Sequence, residues 1–162
     1  GLLAAWRLYR ESGFGDETLV LAGKPGRGYE DAWSALDGSD LRDEVVETGF
    51  VPDDDLPAFY SAASAFLFLS KYEGFGIPLL EAFAADVAVV ASRAGSIPEI
   101  AGEAVLYTET PAEAAEAMRR LMNEEPLRIR LMAEGRLRLE QYSWRKTAEV
   151  TWETLRQIIA EN

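Results

Sequence analysis

A strand-to-helix turn, from Tyr72 to Glu81, decides how the rest of this chain must be arranged. Ahead of it runs Ala65-Phe66-Leu67-Phe68-Leu69-Ser70, an apolar segment short enough to be a fully buried strand. Behind it, Leu79 to Ala85 reads as a helix. Gly74 and Gly76 flank Phe75 and let the backbone take positive φ and come close to a ligand. Pro78 suits a first helical turn, where its missing N–H would have had no partner. A turn at the carboxyl end of a parallel strand, opening a helix, is where α/β folds bind phosphate, because free amides there point at an anion. Two carboxylates, Glu73 and Glu81, share this turn and would repel a bare phosphate, so their partners are better sought among hydroxyl groups. Hydroxyls together with phosphate point to a sugar nucleotide.

The remaining segments fit one α/β domain. Thr18 to Ala22, Glu44 to Thr48, Val87 to Ala91 and Ala104 to Tyr107 read as further short strands, separated by helical segments at 2–12, 29–36 and 56–63. The last third is helical, with apolar faces expected on 111–123 (Ala112, Ala115, Met118, Leu121, Met122), on 126–140 (Ile129, Leu131, Met132, Leu137, Leu139) and on 143–160 (Trp144, Thr147, Val150, Leu155, Ile158). This predicts a Rossmann-like, doubly wound, mostly parallel sheet of about five strands flanked by helices, with residues 1–162 as a single domain.

Charge and missing residue types narrow the chemistry. The 28 acidic and 16 basic residues give a net charge of −12, which disfavours nucleic acid and anionic membrane surfaces as partners. There is no cysteine and no histidine, so disulfides, thiolate nucleophiles and the commonest general base and metal ligand are unavailable; carboxylates would have to carry any catalysis. No apolar run reaches the roughly 18 residues of a membrane span.

Several smaller features have competing readings. Gly23 and Gly28 have P-loop spacing, but Tyr29-Glu30 stand where Lys and Ser/Thr should follow. The loop is then a solvated turn, or Lys24 and Arg27 face a nucleotide. Asp53-Asp54-Asp55 resembles a metal cluster, yet it precedes a helix whose start an Asp cap and negative charge would stabilise; capping is preferred, and no metal site is expected. Ala94 to Glu99 repeats the glycine turn, with Ser96 as N-cap of a short helix and Gly95 or Ser96 within reach of a donor. Ser143 is a fair cap for the last helix.

Glu73 and Glu81, with seven residues between them that include Gly-Phe-Gly and Pro, resemble the Glu-x7-Glu signature of retaining GT-B glycosyltransferases of family 4. Val20-Leu21-Ala22-Gly23, Thr48-Gly49-Phe50-Val51, Asp55 to Ala63, Ser96-Ile97-Pro98-Glu99-Ile100 and Tyr142-Ser143-Trp144 are similar to that family's C-terminal domain in the family's order. The resemblance implies the donor-binding half of a GT-B fold. Glu73 would act catalytically by binding donor-sugar hydroxyls, and the amides of Gly74, Phe75, Gly76 and Ile77 would contact sugar and β-phosphate. Glu81 would bind ribose, Phe50 and Val51 the nucleobase, and Gly23, Lys24, Gly95 and Ser96 would be further donor contacts.

The donor would be GDP-mannose or a UDP-sugar, with no separate cofactor, and an N-terminal domain would hold the acceptor. Such a protein would be cytoplasmic, or peripheral to the membrane through that domain. The chain departs from the family in having Asp86 where glycine is usual and Ala88 where proline is usual. It also shows no strand and basic diphosphate loop before the first helix, which predicts either a gap in the middle of the sheet or a re-pairing that closes it. A stand-alone sugar-nucleotide-binding module and a GT-B sugar-nucleotide epimerase are the alternatives.

Overall fold

The computed structural model describes residues 1–26 and 28–160; Arg27, one of the two cations of the 23–28 loop, lies outside the described residues. Helices Leu2–Glu11 (α1), Tyr29–Trp33 (α2), Leu56–Ala62 (α3), Ile77–Ala84 (α4), Ile97–Ala101 (α5), Pro111–Asn123 (α6), Glu125–Leu139 (α7) and Trp144–Ala160 (α8) accompany five strands. The strands are Leu19–Ala22 (β1), Val45–Gly49 (β2), Phe66–Phe68 (β3), Val89–Ser92 (β4) and Val105–Thr108 (β5). The helix expected over 29–36 changes character after Trp33, where Ser34–Leu36 continues as a 3-10 turn. There the Ser34 hydroxyl bonds the Asp31 carbonyl at 2.7 Å, a local competitor of regular helix bonding.

All pairings named between strands are parallel, β1 with β2 and β3 with β4 with β5. Strand β4 is the centre of the larger sheet and is covered on both faces. Val89 and Ala91 pack with Leu79, Phe83, Ile97 and Ile100 of α4 and α5, while Val90 and the preceding Ala88 pack with Ala117, Leu121 and Leu131 of α6 and α7. Burial on both faces explains why Val87 to Ala91 is an unbroken apolar run rather than an alternating one. A third cluster joins α1 to α6 and the smaller sheet through Trp6, Tyr9, Leu19, Ala114 and Met118.

The gap in the sheet is present. Among the described residues β1 and β3 do not pair, and a cavity of about 780 Å³ lies between them, lined by Val20, Leu21, Phe66 and Leu67 among others. Asp86 accommodates its turn with φ of 56°, a left-handed conformation that aspartate tolerates better than most residues. Its carboxylate pairs with Arg136 of α7, and that guanidinium holds the carboxyl below its ordinary range.

Some local expectations fail for identifiable reasons. Asp55 precedes α3 in a helical conformation, with no side-chain cap bond; instead its N–H closes a turn onto the Pro52 carbonyl at 2.9 Å. On α7, Ile129 and Leu137 are exposed and the buried positions are Leu127, Leu131 and Gly135. No residue of α8 is buried, so the expected core face, Trp144, Val150, Leu155 and Ile158, lies at the surface with Trp152 and Ile159. Ser143 does cap α8, accepting from the Lys146 N–H at 3.1 Å. Thr110 caps α6, its hydroxyl accepting from the Glu113 N–H at 3.2 Å, while the Glu113 carboxylate accepts from the Glu109 N–H at 2.8 Å, one residue before the cap.

Gly135 lets α7 lie directly on α4. A Cβ there would sit 2.7 Å from Phe83 Cδ1. Gly135→Val is expected to cost about 1–3 kcal/mol in urea unfolding by overpacking this contact; an unchanged midpoint would show that the two helices separate freely.

Candidate functional site

Helix α4 begins at Ile77, two residues before its expected start, because Gly76 takes φ of 99° and Pro78 fits the first turn. Among the described residues, no protein acceptor bonds the backbone N–H of Gly74, Phe75, Gly76 or Ile77. Four consecutive donors are thus unpaired at the positive end of a helix, an arrangement that stabilises an anion or growing negative charge.

The carboxylates on either side of this start are held by neutral hydroxyls. Ser70 donates to Glu73 Oε1 at 2.8 Å, and Ser92, at the end of β4, donates to the Ser70 carbonyl at 2.5 Å. Glu73 is thereby tied to the carboxyl ends of two adjacent strands. Tyr60 of α3 donates to Glu81 Oε2 at 2.9 Å. Its ring stands edge-to-face on Phe66, centroids 5.2 Å apart. Burial, then the hydrogen bond and charge of Glu81, push the Tyr60 phenol far above its ordinary pKa, so it stays protonated and remains a donor.

The turn after β4 closes over the turn after β3. Both the N–H and the hydroxyl of Ser96 lie 3.2 Å from the Glu73 carbonyl, and the hydroxyl is 2.9 Å from the Phe75 carbonyl. This engages the Ser96 hydroxyl, which therefore makes no N-cap bond to α5, contrary to the expectation from its position. Gly95 has φ of 54°, and a Cβ there would overlap the Glu73 carbonyl oxygen. Phe75 meets Tyr142 edge-to-face at 5.9 Å.

On the other side of the gap, the Gly23 N–H donates to the Gly49 carbonyl at 2.8 Å, closing the ends of β1 and β2 together. Lys24 Nζ sits 5.5 Å from the centroid of the Phe50 ring, which is 66% exposed, while Val51 beside it is buried. Gly23, Phe50, Val51, Pro78 and Glu81 line the same 780 Å³ cavity, a volume within the usual range for small-molecule sites. Glu73, Gly95 and Ser96 are not among its lining residues; they form a separate interlocked group that the α4 start joins to the cavity. Tyr60, Ser70 and Ser92 escaped the sequence reading. Tyr60 lies within a segment similar to the family and gave one available signal, a phenol on a short, otherwise polar-poor helix.

The family model for glycosyl transferases group 1 matches residues 1–138. The chain belongs to this family. This group 1 domain is 36% identical over 149 residues to O-antigen chain mannosyltransferase B of Escherichia coli, covering 89% of the chain and 38% of that relative. It thus spans well under half of that relative's length. Among solved structures, it resembles the C-terminal domain of a Francisella tularensis glycosyl transferase group 1 family protein, with a TM-score of 0.73 and 24% identity over 86% of the chain and 75% of that one. Anabaena HepE, solved in complex with UDP-glucose, gives a TM-score of 0.81 and 19% identity over 96% of the chain and 44% of that one. The fold is that of the GT-B C-terminal domain, an α/β arrangement of parallel strands flanked by helices. Among the described residues, no helix is long and apolar enough to cross a membrane.

Gly95→Ala tests the interlock between the two turns. The added methyl meets backbone in a left-handed conformation, and a loss of about 2–3 kcal/mol in chemical denaturation is expected. Gly74→Ala, whose Cβ would meet nothing within 4 Å, is the tolerated control; equal behaviour of the two would refute the interlock.

Proposed function

We propose that this domain is the donor-binding half of a retaining glycosyltransferase that moves a hexose, mannose, from a nucleoside-diphosphate sugar to a glycan or lipid-linked acceptor. The observation that carries this reading is the run of four unpaired amides at the start of α4, flanked by two carboxylates that are each held by a neutral hydroxyl. In this reading the amides of Gly74 to Ile77 stabilise the charge that grows on the leaving diphosphate, and Glu73 binds hydroxyls of the donor sugar. Glu81 accepts from the ribose. The exposed Phe50 ring offers a face to the nucleobase, backed by Val51 and with Lys24 beside it. Gly95 and Ser96 serve the donor by fixing the 73–75 backbone.

Mannose is favoured by the named activity of the Escherichia coli relative, while the UDP-glucose complex of HepE keeps a uridine donor open to test. The acceptor is assigned to an N-terminal GT-B domain of a longer protein, in keeping with the greater length of the relatives. A cytoplasmic enzyme, free or peripheral to the membrane through that domain, fits the lack of cysteine and of a membrane-crossing helix among the described residues.

Isothermal titration of the protein with GDP, UDP, GDP-mannose and UDP-glucose tests this directly. One base is expected to bind in preference, and Glu81→Ala is expected to weaken it about tenfold or more, the scale of a lost hydrogen bond to a charged group. Absence of binding to all four by the folded protein would overturn the donor-site reading.

A further inference from the structure

We infer that Tyr60 is the positioning residue through which Glu81 distinguishes ribose from deoxyribose, an inference that rests on the donor-site reading above. The Tyr60 hydroxyl donates to Glu81 Oε2 at 2.9 Å, and among the described residues Oε1 has no protein partner. A glutamate side chain on a helix surface has three torsions and gains little selectivity from a hydroxyl it meets in only some of its rotamers. Here one oxygen is anchored and the other is left free in a known place. The anchor is itself fixed, because the Tyr60 ring stands at 81° to Phe66, which stacks on Phe68 at 5.6 Å, both in β3. Helix α3 thus ties a carboxylate of α4 to the sheet.

The chemistry of the anchor matters as much as its place. A lysine or arginine would offset the charge of the carboxylate and weaken it as an acceptor. The phenol supplies one proton and no charge, and its raised pKa keeps that proton in place. The free oxygen of Glu81 therefore stays available as an acceptor at the cavity that it and Tyr60 line together with Phe50 and Val51. A pentose hydroxyl that meets the free oxygen gains a charge-assisted bond, and a deoxy analogue loses it.

The test compares the Kd of the preferred nucleoside diphosphate with those of its 2′-deoxy and 3′-deoxy forms, in the wild-type protein, Tyr60→Phe, Glu81→Gln and the double variant. The wild type is expected to favour the ribose form by about tenfold over at least one deoxy form. Tyr60→Phe, which keeps the ring on Phe66, is expected to cut that preference to about threefold or less while leaving the deoxy affinity nearly unchanged. In the Glu81→Gln background it should add nothing. Tyr60→Leu, a second apolar replacement, should erode the preference in the same way. Retention of the full preference by Tyr60→Phe, or an equal weakening of ribose and deoxy forms, overturns the positioning role and leaves the donor site standing. A folded wild-type protein that binds ribose and deoxy forms alike overturns the selectivity assigned to Glu81 and Tyr60, and one that binds none of these nucleotides overturns the donor-site reading and the role of Tyr60 with it.

Discussion

The carbonyl of Glu73 accepts from both the amide and the hydroxyl of Ser96, and this close approach is possible only because Gly95 carries no side chain. The contact locks the turn after β3 to the turn after β4. Adjacent parallel strands deliver their carboxyl ends side by side, so their following turns must either interlock or splay. Here the lock holds the 73–75 backbone, Gly76 then changes hand, and α4 starts at Ile77 with its first amides unpaired. The double burial of β4 serves the same end by holding both turns on a strand that cannot move without opening two cores.

Among the described residues, no lysine or arginine forms an ion pair with either carboxylate at this start. Arg136 pairs with Asp86, and Arg138 donates to the Ile100 carbonyl at 2.8 Å and to the Glu99 carbonyl, satisfying the end of α5. Such placement near a helix C-terminus is favourable for an arginine. Glu73 and Glu81 are instead partnered by Ser70 and Tyr60, which orient a carboxylate without neutralising it. In a chain of net charge −12 this leaves both carboxylates as hydrogen-bond acceptors held by neutral donors.

The strand, the glycine turn and the helix start were legible in the sequence because each depends on residues a few positions apart. Gly76 and Pro78 state a backbone conformation outright, and the apolar run through Val87 to Ala91 states burial on two faces. What escaped depends on distant partners. Tyr60 and Glu81 are 21 positions apart, and Ser92 and Ser70 are 22 apart, so neither pair leaves a local pattern. Ser96 was a plausible N-cap by position, but the carbonyls of Glu73 and Phe75 take its hydroxyl. The helical faces were legible only in part: on α6 Ala115, Met118 and Leu121 are buried as the periodicity suggests, but Ala112 is exposed and Ala114 and Ala117 are buried instead. On α7 the inward line runs through a glycine, and on α8 no residue is buried.

The separation of β1 from β3 makes the five strands unequal in how they guard their amides. Strand β4 bonds a neighbour on each side, whereas β1 and β3 each have one ladder edge bare toward the gap. Protection against hydrogen–deuterium exchange follows from that difference, since an edge amide exchanges without the sheet having to open. The slow-exchanging heart of the molecule is then β4 with its two flanking helix layers, and the walls of the 780 Å³ cavity are its fast-exchanging margin. An occupant of that cavity would register first as a slowing along β1 and β3.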